Sequence, residues 1–395
     1  MTPQTTRAWL WLHKWSSLIC TVFMLLLCLT GLPLIFHHEL GHWLGTEMQA
    51  PPLPAGVAAR AVTLDEAVAV AQRVHPGRVA QYASPEEDSD DLWRVTMAPT
   101  PAPTDDFRLV VVDARTGDYL GTPPLHSGFL WIMFKLHVDL FAGLAGKLFL
   151  GLMGVLLLVS LVSGTVLYAP FMRKLAFGTV RRGSGRPASR QEDDRARKQR
   201  AAQRRLKWLD LHNLLGIVLL AWLFVVGGTG VINTWADLLV KYWQHDQLSA
   251  YLAPYKGQPA VSQGERAPIH QALHAAQEAV PDTRLYFMAF PGTAFASPHH
   301  YVFFMRGNTP LTAHLPRPVL VDARTAQVTA APRLPWYLTA LLMSRPLHFG
   351  DYGGWPMQIL WALLDVLSII VLGSGLYLWL KKGNKTAKAG SVQRR

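Results

Sequence analysis

Trp11-Leu12-His13-Lys14-Trp15, followed by SSLICTVFMLLLCLTGLPLIF as far as Phe36, decides how this chain is read. No charged residue follows Lys14 up to Phe36, and about 20 apolar residues of helix cross a bilayer core. Three further runs have the same character: Leu148–Ala169, Leu214–Thr234 and Met357–Leu380. None contains lysine or arginine, and Asp365 is the only acid in any of them. The first run is too long for the apolar core of a secretion signal, and no small-x-small cleavage site follows it closely. It reads as an uncleaved helix. The expected fold class is membrane α-helical, with four transmembrane helices.

The 395 residues are 50% hydrophobic, only 16% charged, and carry a net charge of +12. Phe171–Leu211 collects Arg173, Lys174, Arg181, Arg182, Arg186, Arg190, Arg195, Arg197, Lys198, Arg200, Arg204, Arg205 and Lys207. The tail adds Lys381, Lys382, Lys385, Lys388, Arg394 and Arg395. Basic segments beside spans stay cytoplasmic, so both termini are expected inside. The first outer segment is acidic (Glu86, Glu87, Asp88, Asp90, Asp91, Asp105, Asp106). Positive charge beside helix ends sets topology and meets anionic lipid, which argues against a nucleic-acid partner. The expected plan is helix 8–36, outer segment 37–146, helix 147–170, basic loop 171–211, helix 212–234, outer segment 235–355, helix 356–380 and tail 381–395.

Four histidines flank the apolar runs at matched spacings. His13 precedes Gly31 by eighteen residues, and His212 precedes Gly230 by eighteen. His137 precedes Gly164 by twenty-seven, and His348 precedes Gly375 by twenty-seven. Each glycine follows a serine or threonine. A lone histidine at a helix end commonly sits among headgroups. Duplicated spacing favours metal ligation, and the best candidate metal is haem iron, which needs two neutral imidazoles facing across a cavity. The pairs expected from the repeat are His13 with His212 and His137 with His348. Cys20 and Cys28 both lie in the first helix, and the chain has no C-x-x-C-H, so covalent haem attachment is excluded.

The repeat extends into the outer segments. Ala71-Gln72-Arg73-Val74-His75-Pro76 resembles Ala276-Gln277-Glu278-Ala279-Val280-Pro281, each closing an alanine-rich helical stretch (63–75 and 268–280). Val112-Asp113-Ala114-Arg115-Thr116 returns as Val321-Asp322-Ala323-Arg324-Thr325, a strand entering a turn. Two duplicated halves are therefore expected, each a helix, a small α+β domain and a helix, related by an axis along the membrane normal.

These domains resemble PepSY domains. Trp11-Leu12-His13-Lys14-Trp15 and Leu347-His348-Phe349-Gly350-Asp351-Tyr352-Gly353-Gly354 resemble signature stretches of the PepSY-associated transmembrane family, over about residues 8–382. The resemblance implies a bacterial inner-membrane protein with two extracytoplasmic PepSY-like domains and two b-type haems. It also implies a ferric-siderophore reductase activity, with a periplasmic ferric-siderophore as substrate and a cytoplasmic flavin or flavoprotein as electron donor. The cytoplasmic loop is too short for a fused flavin domain.

His38-Glu39-Leu40-Gly41-His42 matches H-E-x-x-H, which on a helix puts two zinc ligands on one face. No clear third ligand follows, and Gly41 weakens the helix, so a zinc protease is the weaker rival. His37 and His38 end the first helix, and His38 is an additional candidate for binding at the outer haem. The other rival is a non-catalytic PepSY membrane protein that binds a periplasmic partner. The many tryptophans at run ends fit an interfacial belt.

Overall fold

The computed structural model describes the chain except residues 54–55, 57, 87–89, 173–175, 182–193, 310–311 and 393–395. Arg173, Lys174, Arg182, Arg186, Arg190, Arg394, Arg395, Glu87 and Asp88, named above for their charge, lie outside the described residues. The helices are α1 (Pro3–Ile35), α2 (His37–Trp43), α3 (Leu64–Val74), α4 (Gly128–Val138), α5 (Gly143–Met172), α6 (Asp194–Val218), α7 (Leu220–Thr234), α8 (Ala236–Trp243), the single-turn α9 (Ser249–Leu252), α10 (Ile269–Ala279), α11 (Trp336–Phe349) and α12 (Gly354–Val392). The strands are β1 (Val79–Pro85), β2 (Leu92–Ala98), β3 (Arg108–Asp113), β4 (Tyr119–Gly121), β5 (Thr283–Ala289), β6 (His300–Gly307), β7 (Arg317–Asp322) and β8 (Val328–Ala330). Two compact units result: one of residues 1–36, 132–235 and 344–395, the other of residues 37–131 and 236–343.

The first unit is helical. Thr2 accepts the Thr5 N–H at 3.2 Å, and a proline at the helix start closes the N-terminus of α1. Its 33 residues reach about 50 Å. α1 packs on α5 and α12, α5 also packs on α7, and α12 also packs on α6. A small core of Cys20, Met24 and Met153 joins Phe23, Leu27 and Leu372. Leu10, Val22, Leu29, Leu152, Leu363 and Val366 instead turn outward. Helices that satisfy their own backbone and show apolar side chains outward are what a bilayer solvates. This is a multi-pass membrane protein.

Among the described residues, three helices are long and apolar enough to cross a membrane, and α6 with α7 gives a fourth only as a pair bent by 66°. Leu214–Thr234 reads as one run in sequence, but the structure breaks it at Leu219, where ψ is −5°. Gly216, one turn earlier, weakens the helix there. Two short apolar helices, α4 and α11, carry His137 and His348.

The second unit is one antiparallel sheet in the order β4-β3-β2-β1-β5-β6-β7-β8. The two chain segments of this unit meet at β1 and β5, where Tyr82 pairs with Ala289 and Ala83 with Met288. Alternation along β6 sends Tyr301, Phe303 and Met305 to the face covered by α3 and α10. Val302 and Phe304 go to the opposite face with Trp243, Leu338 and Leu341. The helices expected at 63–75 and 268–280 are α3 and α10. Thr63 and Glu66 form a capping box at the start of α3. Both Val-Asp-Ala-Arg-Thr stretches end a strand at the aspartate and turn there.

Candidate functional site

Each of the four histidines in the helical unit rests on a neighbouring helix in the same way. His13 donates from Nδ1 to the Ser160 carbonyl at 3.0 Å, beside the Ser163 hydroxyl at 3.2 Å. His137 donates to the Leu27 carbonyl at 3.1 Å, beside Thr30 at 3.1 Å. His212 donates to the Val371 carbonyl at 3.1 Å, beside Ser374 at 2.9 Å. His348 donates to the Val226 carbonyl at 2.9 Å, beside Thr229 at 3.3 Å. A carbonyl oxygen has no proton to give, so each Nδ1 carries the hydrogen and each Nε2 keeps its lone pair. The Ser and Thr hydroxyls spend their own protons on carbonyls of their own helix turn: Ser163 on Val159, Thr30 on Leu26, Thr229 on Val225 and Ser374 on Val371. Their oxygens thus face the imidazole as acceptors.

The residue after each hydroxyl is a glycine, and its missing side chain is where the ring lies. A Cβ on Gly164 would stand 3.0 Å from His13 Cε1, and one on Gly31 would stand 3.1 Å from His137 Cε1. The same distance is 3.3 Å for Gly375 and His212, and 3.0 Å for Gly230 and His348. The seat is thus a carbonyl at one position, a hydroxyl three residues on and a glycine four residues on, which one helix face presents together. Sequence spacing links His13 to Gly31 along one helix, whereas the structure seats His13 on Gly164 and His137 on Gly31. The repeated Ser/Thr-Gly pair was the visible signal of these seats.

The four rings form two facing pairs. His13 and His212 have ring centres 6.5 Å apart with planes at 68°. His137 and His348 are 6.1 Å apart at 61°. Imidazole nitrogens bind first-row metals at about 2.0 Å, so two rings on opposite sides of one iron place their centres about 6.3 Å apart. Both pairs fit that spacing, with Nδ1 tethered behind as ligating histidines require.

His38 belongs to the sheet unit. Its Nδ1 meets Glu47 Oε1 at 2.9 Å, and its ring lies 4.0 Å from that of His37. Arg94 bridges Glu47 at 3.4 Å and Glu86 at 2.6 Å. Burial pushes the Glu47 carboxyl up, but the His38 hydrogen bond and the His38, His42 and Arg94 charges hold it below the usual carboxylate range. His42 turns Nδ1 to the Gln49 amide at 2.9 Å. The two histidines of H-E-x-x-H thus engage different partners. No group of three or more His, Cys, Asp or Glu set for a metal ion occurs among the described residues.

Apolar helices with exposed hydrophobic faces, a sheet unit and four tethered histidines define the class: a multi-pass membrane protein with an α+β appendage. The PepSY-associated TM region matches residues 10–382, and the chain belongs to that family. An uncharacterized protein of Pseudomonas aeruginosa is 24% identical over 269 residues. That match takes in 64% of this chain and 63% of the relative's length.

Proposed function

We propose that this chain is a di-haem b protein of the bacterial inner membrane and a ferric-siderophore reductase. It passes electrons from a cytoplasmic flavin or flavoprotein to a periplasmic ferric-siderophore. The observation that carries the reading is the facing, tethered imidazole pair, found twice at 6.5 and 6.1 Å. His13 and His212 would hold one haem, and His137 and His348 the other. Bound haem supplies a one-electron ferric/ferrous couple.

The chain's own part is orientation and exclusion. Each Nδ1–H bond fixes the tautomer, leaves the Nε2 lone pair for a metal and raises its basicity as a ligand. The glycine seats let helices close on the rings, and the apolar spans keep water away. Ferric chelates hold iron far more tightly than ferrous ones, so delivery of one electron frees the metal. The basic N-terminal part of α6 leads into His212, which supports a cytoplasmic position for that pair and cytoplasmic termini. The matched seats and the repeated turns support two duplicated halves.

The test uses vesicles with reduced flavin inside, and a ferric hydroxamate and a ferrous trap outside. Wild type releases ferrous iron. His348→Ala abolishes the release while the His13/His212 haem is still reduced. Unchanged release from His348→Ala contradicts the reading, and a colourless wild-type protein favours the non-catalytic rival.

A further inference from the structure

Asp365 lies mid-span in α12, on the face that also presents Trp361, Ser368, Leu372 and Gly375 on successive turns. It is 7% exposed. Oδ2 has no hydrogen-bond partner among the described residues, and the Cys28 thiol of α1 is its titratable neighbour. The other titratable groups on the elements packed against α12 are engaged or distant. His212 and Asp210 of α6 are taken by Val371 with Ser374 and by Arg181. Lys14 and His13 stand about 20 Å back along α1 from Cys28. Asp351, in the turn before α12, is exposed. No lysine or arginine in the described residues pairs with Asp365.

Its position along the bundle is between the two histidine pairs. One turn to one side, Trp361 Nε1–H donates to the His348 carbonyl oxygen at 3.2 Å. On the other side, Val371 and Ser374 seat His212. On α1, Cys28 follows Leu27, whose carbonyl seats His137. A lone carboxylate in an apolar span is costly unless positive charge balances it, and an ionisable residue there marks a function by default. A ferric bis-imidazole haem core carries one positive charge, and a ferrous core carries none. The charge that would stabilise an ionised Asp365 is therefore present before the electron arrives and gone afterwards.

We propose that Asp365 is a redox-linked proton-binding site between the two histidine pairs, an inference that rests on the haem reading. One electron enters from the cytoplasmic flavin-class donor, and one proton from water binds the Asp365 carboxylate to give the neutral acid. Both leave together, the electron to the ferric acceptor and the proton to water. The bundle's net charge is thus the same before and after each turnover.

The test is a spectroelectrochemical titration of the purified full chain in lipid nanodiscs at several pH values, with redox-difference infrared spectra. In wild type one haem potential falls as pH rises, by at most about 59 mV per tenfold change in proton activity for one electron. A carboxylic-acid band appears on reduction. In Asp365→Asn the slope and the band vanish, and in Asp365→Glu the slope returns with a shifted band. An unchanged slope in Asp365→Asn overturns the inference and leaves the haem reading intact. If Asp365→Asn does not assemble, a pH-independent potential or an absent band in wild type does the same. A wild-type chain that binds no haem overturns both.

Discussion

In the helical unit each of four histidines meets a carbonyl, a hydroxyl and a glycine in the same order. In the sheet unit the two Val-Asp-Ala-Arg-Thr turns share five residues and are wired differently. Asp113 takes the Arg115 N–H and its guanidinium at 2.8 and 2.9 Å, and those Arg115 hydrogen bonds hold its carboxyl below the usual range. Asp322 likewise takes the Arg324 N–H, but it also takes the Thr325 N–H and hydroxyl, and the Arg324 guanidinium reaches Glu265 and not the aspartate. The left-handed residue that follows is Gly117 in one turn and Ala326 in the other. Opposite the aspartate stands Leu92 in one and His300 in the other. A turn needs only that its polar groups find some partner, and several wirings do that. The histidine seats hold one wiring four times.

Substitution of a seated histidine should separate the two regions most sharply. His212→Ala is expected to remove one of two haems and leave the other, read as haem per chain. Retention of both would break the proposed pairing. A smaller effect comes from the seats. Gly164→Val puts side-chain atoms where His13 Cε1 lies and should cut occupancy of one haem about tenfold, which corresponds to about 1.4 kcal/mol. Gly373 has open space around the Cβ position, so Gly373→Ala is the control and should bind normally.

The sheet unit should answer to pH instead. His300 is buried with Nδ1 2.6 Å from the Ser297 hydroxyl, and burial pushes its pKa down to about 4. An unfolded chain takes up this proton below about pH 6.5, whereas the folded one resists until about 4. Stability that is complete above 6.5 is therefore lost as pH falls through that window, by on the order of 3 kcal/mol. The amide-exchange protection factor along β6, the rate corrected for its intrinsic pH dependence, should fall between pH 7 and 5 in wild type. It should fall less in His300→Leu, which carries the residue type found at Leu92. An equal fall in both would remove the His300 contribution. The smallest effect is Ser163→Ala, which leaves the Ser160 carbonyl to hold His13 and should weaken that seat by about 1 kcal/mol in a haem-loss assay.

Periodicity and spacing made the apolar runs, helices α3 and α10 and both Val-Asp-Ala-Arg-Thr turns legible, because each is local. The candidate histidines were legible through their matched spacing. The glycine beneath each ring was not, since spacing along one helix cannot say which neighbouring helix lies across from it. The break at Leu219 was hidden because an apolar run reads alike whether straight or bent. The β1–β5 junction joins residues some two hundred positions apart, and nothing in either strand's pattern specifies its partner. His300 is legible only once that sheet buries it.

A pyridine haemochrome assay on the purified chain, expressed with ample haem, tests the central claim most directly. Two haem b per chain, low-spin before denaturation, is the result the facing imidazoles predict. A colourless protein with folded helices would contradict it.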